Sequence, residues 1–291
     1  MKAVTLNLVN KEKSEIPYNI SKFPDGQQNI TLNINSFGLK EKIVTIKSRL
    51  NNWLDLELIV CSYASIRNNG CKNIKLYVAY FLGSRSDRQF ESGSNNYLKQ
   101  VICPIINSLN FESVSVLDPH SNCLEMGINN IIKYNNCEFV KWALIHINNK
   151  YDAQEKIIFI SPDIGAIPKI NDVAKYVNFQ GCIVTCTKSR GIDGELTKTN
   201  VPMGALFNSN KDAVIIDDIC DGGMTFINIA KELKSNGFKN KIYLIVTHGI
   251  FSKGFEELLK YFDGIYCTDS YSDLSKTYSK ENESIYQFYI N

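Results

Sequence analysis

Histidine is scarce here: His120, His146 and His248 are the only 3 in 291 residues. They are too scattered for the three-ligand spacing of a zinc site. A strong charge of either sign is missing too. The 32 basic and 30 acidic residues leave a net charge of +2, so charge alone points to neither nucleic acid nor a membrane surface. No apolar run reaches the roughly 18 residues of a spanning helix. The first residues, Met1 to Leu6, alternate like a strand and lack a signal peptide's apolar core. The 9 cysteines are an odd number with no Cys-x-x-Cys pair. Their scatter fits a reducing, cytoplasmic protein. Cys182 and Cys186, four apart in a strand-like run, are expected to share one buried face.

What is present is an ordinary globular composition, 44% hydrophobic and 21% charged. The length favours two domains. β-rich apolar runs alternate with helical spacing. Strands are predicted at residues 43–46, 74–81, 114–117, 156–160, 182–186, 213–216, 242–246 and 264–268, and helices over 54–68, 96–109, 168–176 and 225–236. Such alternation implies an α/β protein of two domains, each with a mostly parallel sheet flanked by helices. The boundary is placed near residue 138, giving domains 1–138 and 139–291.

In open parallel sheets the crevices lie beyond the carboxyl ends of the strands. Four predicted strand ends carry polar residues: Gly83 to Arg88, Asp118-Pro119-His120, Ser161 to Gly165, and Asp217-Asp218. The richest stretch runs from Val214 to Phe226. It reads as a buried strand ending in two acids, then Asp221-Gly222-Gly223-Met224-Thr225, then a helix. Amides of a Gly turn at a helix N-terminus suit a phosphate monoester. The acids suit ribose hydroxyls, so the stretch reads as a ribose 5-phosphate site. At another strand end, Lys188-Ser189-Arg190 opens a long polar stretch that suits a lid carrying cations. Arg85 suits a polyphosphate, and His120 and Asp163 suit Mg²⁺ better than zinc.

In this order the motifs resemble the ribose-phosphate pyrophosphokinase family, also called phosphoribosyl pyrophosphate synthetases, from about Phe23 to Thr268. The matching pieces are Phe23-Pro24-Asp25-Gly26-Gln27, Tyr80 to Arg88, Asp118-Pro119-His120, Pro162-Asp163-Ile164-Gly165, Lys188-Ser189-Arg190, Asp217 to Thr225 and Thr247-His248-Gly249. The resemblance implies two tandem phosphoribosyltransferase-like domains, the first on the ATP side and the second on the ribose 5-phosphate side. It implies that Phe23, Asp25, Gln27, Arg85, Ser86 and His120 bind ATP, and that His120 and Asp163 bind Mg²⁺. Lys188 and Arg190 would be catalytic, with Arg190 also on the sugar phosphate. Asp217, Asp218, Asp221, Gly222, Gly223, Met224 and Thr225 would hold ribose 5-phosphate.

The implied reaction is Mg-dependent transfer of pyrophosphate from ATP to the C1 hydroxyl of ribose 5-phosphate. It yields phosphoribosyl pyrophosphate and AMP for nucleotide biosynthesis, in a homo-oligomer that is a dimer at least. Two other readings stay open: a phosphoribosyltransferase that uses phosphoribosyl pyrophosphate, and a catalytically silent synthetase-like subunit. Gln27, Ser86 and Met224 depart from the family pattern. Met224 stands where glycine is usual, and the phosphate cradle needs it to avoid positive φ and to point outward.

Overall fold

The computed structural model describes residues 1–34, 38–148, 156–190, 196–206, 210–276 and 284–290; the side chains of Asn148, 188–190, 196–198 and Lys276 lie outside the description. The chain divides into two compact units, residues 1–135 and 136–290.

The first unit holds β1 (Lys2–Asn7), the hairpin β2 (Tyr18–Lys22) and β3 (Gln28–Leu32), then β4 (Lys42–Ser48), α1 (Trp53–Asn68) and β5 (Asn73–Val78). There follow α2 (Cys103–Ser108), β6 (Ser113–Leu117), α3 (Asn122–Gly127) and β7 (Ile131–Tyr134). Its sheet runs β1-β4-β5-β6-β7, every neighbour parallel. Alternation builds the core: Val44 and Ile46 of β4, Ile74 and Leu76 of β5, and Val114 and Val116 of β6 are buried with Leu56, Ile59 and Ile66 of α1. The α1 helix starts where the Asn52 side chain accepts from the amides of Leu54 and Asp55, an ordinary N-cap.

The helix predicted over 96–109 opens with a π turn at Leu98–Ile102 before α2. Pro104 has no amide to offer the carbonyl four residues back, so the regular ladder is interrupted there. The strand predicted to reach Phe81 stops at Val78; Ala79, Tyr80 and Phe81 are buried in the turn that follows.

The second unit holds α4 (Cys137–Asn148), β8 (Ile157–Ser161), α5 (Ile167–Tyr176), β9 (Ile183–Thr185), and the hairpin β10 (Thr187–Arg190) and β11 (Leu196–Asn200). After these come β12 (Asp212–Cys220), α6 (Met224–Ser235), β13 (Ile242–Gly249), α7 (Glu256–Leu259), β14 (Gly264–Thr268) and β15 (Ile285–Phe288). The sheet order is β15-β14-β13-β12-β8-β9, all parallel. Both faces are covered, so β8, β13 and β14 are buried throughout, as parallel sheets demand. Alternate residues of β12 serve different cores. Ala213 and Ile215 pack with Phe226, Ile229 and Leu233 of α6, and Val214 and Ile216 with Phe139, Val140, Ile170 and Val173 of α4 and α5.

Cysteine placement corrects one expectation. Cys186 is buried but Cys182 is exposed, because β9 begins only at Ile183 and ends at Thr185. Among the described residues no helix is long and apolar enough to cross a membrane.

Candidate functional site

In the second unit the acids belong to the strand rather than following it. β12 continues through Asp217 and Asp218 to Cys220, with Asp217 opposite Val246, Ile219 opposite His248 and Cys220 opposite Gly249 of β13. Its other neighbour, β8, pairs only from Asp212 to Ile215. Beyond Ile215, among the described residues, no strand pairs with that edge of β12, and Asp217 and Asp218 fall in this stretch. The expected boundary at Ile216 fails because pairing to β13 outweighs the poor strand propensity of aspartate.

Successive strand side chains point to opposite faces. Asp218 shares its side with Val214 and Ile216 and meets α5, where Lys169 Nζ lies 2.7 Å from its Oδ2. Asp218 is 5% exposed, so this ion pair is what makes its burial tolerable. Asp217 turns the other way, its Oδ1 accepting from the Asp218 amide at 2.9 Å. It is half-buried yet densely surrounded. Burial, then the adjacent Asp218 carboxylate, hold its carboxyl well above the usual carboxylate range. Asp163 adds to the rise, while the Asp218 amide and Lys169 oppose it.

Asp163 follows β8, and its Oδ1 accepts from the Ala166 amide at 3.2 Å. That caps a short 3-10 turn at Ile164–Ala166 which feeds α5. One local fold thus sets Asp163 and aims Lys169.

The Asp221–Thr225 turn completes this region. Gly223 has φ 79° and caps α6. A Cβ there would sit 2.9 Å from Leu258 Cδ2, so glycine is required twice over. Met224 is outside the positive-φ residues and 51% exposed; it opens α6 with ordinary helical geometry and its side chain faces solvent. Both conditions set for the cradle are met. Asp221 accepts from the Ser252 hydroxyl, and Thr225 is half-buried.

Behind the turn, the Thr247 carbonyl accepts from the hydroxyls of Thr268 (2.6 Å) and Ser270 (3.2 Å). Buried His248 Nδ1 lies 2.8 Å from Ser270 Oγ. Thr247-His248-Gly249 is thereby a buried support rather than an exposed face.

The first unit presents a separate set. Phe23, Asp25 and Gln27 form the exposed tip of the β2–β3 hairpin. The Phe23 amide donates to the Gln27 carbonyl at 2.8 Å, the Gly26 amide to the Phe23 carbonyl at 2.9 Å, and the Gln27 amide to Asp25 Oδ1 at 3.1 Å. Phe23 is 51% exposed, which costs hydrophobic free energy unless something covers it.

Arg85 and Ser86 follow β5 in a turn built on Gly83 (φ 79°), with the Ser86 amide donating to the Gly83 carbonyl at 2.8 Å. Arg85 is exposed and Ser86 half-buried. His120 follows the adjacent strand β6; buried Asp118 takes φ 41° and its amide donates to the Tyr134 carbonyl at 2.7 Å. Exposed His120 then precedes Ser121, whose hydroxyl caps α3. Arg85 and His120 thus leave neighbouring parallel strands at the same end.

The backbone of Lys188 and Arg190 lies in β10, antiparallel to β11, with a register shift between Ser189 and Arg190. Their side chains lie outside the described residues.

Among the described residues no three His, Cys, Asp or Glu side chains converge as a metal cage. Mg²⁺ does not need one, since one or two protein ligands and substrate phosphates commonly suffice. Asp163, Asp217 and Asp218 crowd three acidic side chains at one strand end, with Lys169 paired to Asp218.

Two features escape sequence reasoning. Lys169 pairs with a residue 49 positions away, and no spacing rule reaches that far. The Ser252-Lys253 turn abuts the glycine turn only because β12 and β13 are neighbours; Thr247-His248-Gly249 just before it was the available signal.

Comparison with known proteins gives one consistent family. A profile described as phosphoribosyl synthetase-associated domain matches residues 141–268. A ribose-phosphate pyrophosphokinase from Mycoplasmopsis pulmonis is 29% identical over 235 residues, covering 79% of this chain and 69% of that protein. One from Mesorhizobium japonicum is 30% identical over 199 residues, 68% of this chain and 61% of that protein. The matches thus span only about two thirds of those relatives' lengths. By fold, a crystal structure of phosphoribosylpyrophosphate synthetase from Mycobacterium smegmatis is similar with a TM-score of 0.81 at 12% identity, covering 100% of this chain and 95% of that one. Two parallel sheets flanked by helices are accordingly two phosphoribosyltransferase-like domains in tandem.

Proposed function

We propose that this chain, which belongs to the ribose-phosphate pyrophosphokinase family, transfers pyrophosphate from ATP to the C1 hydroxyl of ribose 5-phosphate. The observation that carries the reading is the acid-bearing end of β12, running into a turn with left-handed Gly223 that opens α6. Amides of the turn and the helix dipole suit the 5-phosphate, while Asp217 and Asp221 accept from ribose hydroxyls. Asp218, held by Lys169, positions the strand end.

In the proposed step the C1 oxygen attacks the β-phosphorus of ATP in line. The bond from that phosphorus to the α,β-bridging oxygen breaks, AMP leaves with that oxygen, and the hydroxyl proton is released. Positioning and charge neutralisation supply most of the rate. Arg85, Ser86 and His120 take the nucleotide's phosphates, and Phe23, Asp25 and Gln27 take the adenine. Lys188 and Arg190 bring cations to the charge that develops on the transferring group. His120 and Asp163 would each offer a ligand to Mg²⁺, and the ion would offset polyphosphate charge.

An AMP-formation assay with ATP, ribose 5-phosphate and Mg²⁺ tests this. AMP release that requires ribose 5-phosphate and needs no added nucleobase is the expected result. Binding of both substrates without turnover would indicate a silent subunit instead, and base-dependent consumption of phosphoribosyl pyrophosphate a phosphoribosyltransferase.

A further inference from the structure

The wall of the glycine turn comes from a second turn, residues 250–254, that follows β13. The last carbonyl of β12, on Cys220, accepts from the amides of both Ile250 (2.9 Å) and Phe251 (3.2 Å). The Ser252 hydroxyl adds its bond to Asp221. Phe251 sits at φ 48°, 3% exposed, its ring centroid 4.4 Å from that of Phe255, and Gly254 takes φ 69°. Lys253 is thus carried between anchored neighbours rather than on a loose loop. Its stem lies along Gly222: a Cβ on that glycine would stand 3.4 Å from both Cδ and Cε of Lys253. The residue remains exposed, so the ammonium ends in solvent at the rim of the turn.

Charge at this place decides what the turn accepts. Asp221 opens the turn and is held by Ser252, and the Asp218 charge is matched by Lys169. The N-terminus of α6 contributes only about half a positive charge, against close to two negative charges on a phosphate monoester near neutral pH. A fixed cation beside the amides is what this balance calls for.

We infer that Lys253 is a binding residue for the phosphate of the sugar substrate, its ammonium closing the Gly222–Thr225 cradle from the side of the 250–254 turn. The inference rests on the sugar-phosphate reading given above.

Titration calorimetry of ribose 5-phosphate, with unphosphorylated ribose as control, tests it on wild type, Lys253→Met, Lys253→Arg and Gly223→Ala. Methionine keeps the aliphatic cover over Gly222 and removes the charge. Lys253→Met is expected to bind ribose 5-phosphate about tenfold more weakly, the scale of one charged hydrogen bond, with an unchanged melting temperature. Lys253→Arg should stay within about threefold of wild type, since a guanidinium keeps the charge and binds phosphate well. If Lys253→Met binds within twofold of wild type while Gly223→Ala abolishes binding, the lysine is only a cover and this inference falls alone. If wild type itself fails to bind ribose 5-phosphate, the sugar-phosphate reading falls and takes the inference with it.

Discussion

Asp217 is the residue whose chemistry is most constrained by its surroundings. Burial and the Asp218 carboxylate raise its pKa in the folded chain, so the native state keeps a proton that the unfolded chain releases. Folding stability from this group therefore declines as pH rises from the ordinary carboxylate range through the native value. Asp217→Asn is expected to melt above wild type at pH 7.5 and to lose that advantage toward pH 4. The same substitution should weaken ribose 5-phosphate binding, because Asp217 can give up its proton and accept from sugar hydroxyls with both oxygens, whereas an amide keeps one acceptor. Melts at several pH values with matched titrations check both; a variant less stable than wild type at pH 7.5 would contradict the electrostatic account.

The adjacent glycines separate backbone strain from crowding. Gly223→Ala forces a left-handed alanine into Leu258 and should cost about 2–4 kcal/mol. Gly222→Ala lies outside the positive-φ residues and meets only the flexible Lys253 stem, so it should stay within about 0.5 kcal/mol. Denaturant unfolding of the two variants measures the contrast directly.

Among the elements, the β10–β11 pairing runs through the backbone and does not depend on the side chains assigned to it. Lys188 pairs with Thr199 through the backbone, so Lys188→Ala should fold with an unchanged melt. If its ammonium meets the transferring phosphoryl group, turnover should drop about 10²–10³-fold, as when one oxyanion donor is removed. Near-normal turnover would remove Lys188 from the catalytic assignment.

Most elements were legible because local pattern and burial agree. Ile157 to Ile160 is an unbroken apolar run and becomes a fully buried strand; Gly264–Thr268 is buried throughout as well, and Val114–Leu117 is buried except at Ser115. What was not legible depends on partners distant in sequence. β12 continues past Ile216 because β13 pairs with it, and Pro104 reshapes a helix that its apolar spacing left regular. Within the site, the glycines and acids of 217–225 were readable from residue type alone. Lys169 and Lys253 reach the same place only through sheet order, which no local pattern encodes.

For the whole molecule, the division into two units assigns the work unevenly. The six-stranded sheet, the two core clusters on its faces, Asp163, Lys169, the 217–225 stretch and the β10–β11 pair all lie in residues 136–290. Arg85, Ser86, His120 and the Phe23–Gln27 hairpin tip lie in residues 1–135. A 155-residue segment with its own two-sided sheet core is within the size range that folds independently. Expressed alone, residues 136–290 should unfold in one cooperative transition. The segment should bind ribose 5-phosphate within about tenfold of the full chain, since every group assigned to that ligand is retained. It should release no AMP from ATP, having lost the residues assigned to the nucleotide. Circular dichroism melts, calorimetry and the AMP assay on one preparation read all three outcomes. AMP release by the segment alone would show that Arg85 and His120 are dispensable. Loss of sugar-phosphate binding in a well-folded segment would mean that the 217–225 stretch is not sufficient for that ligand.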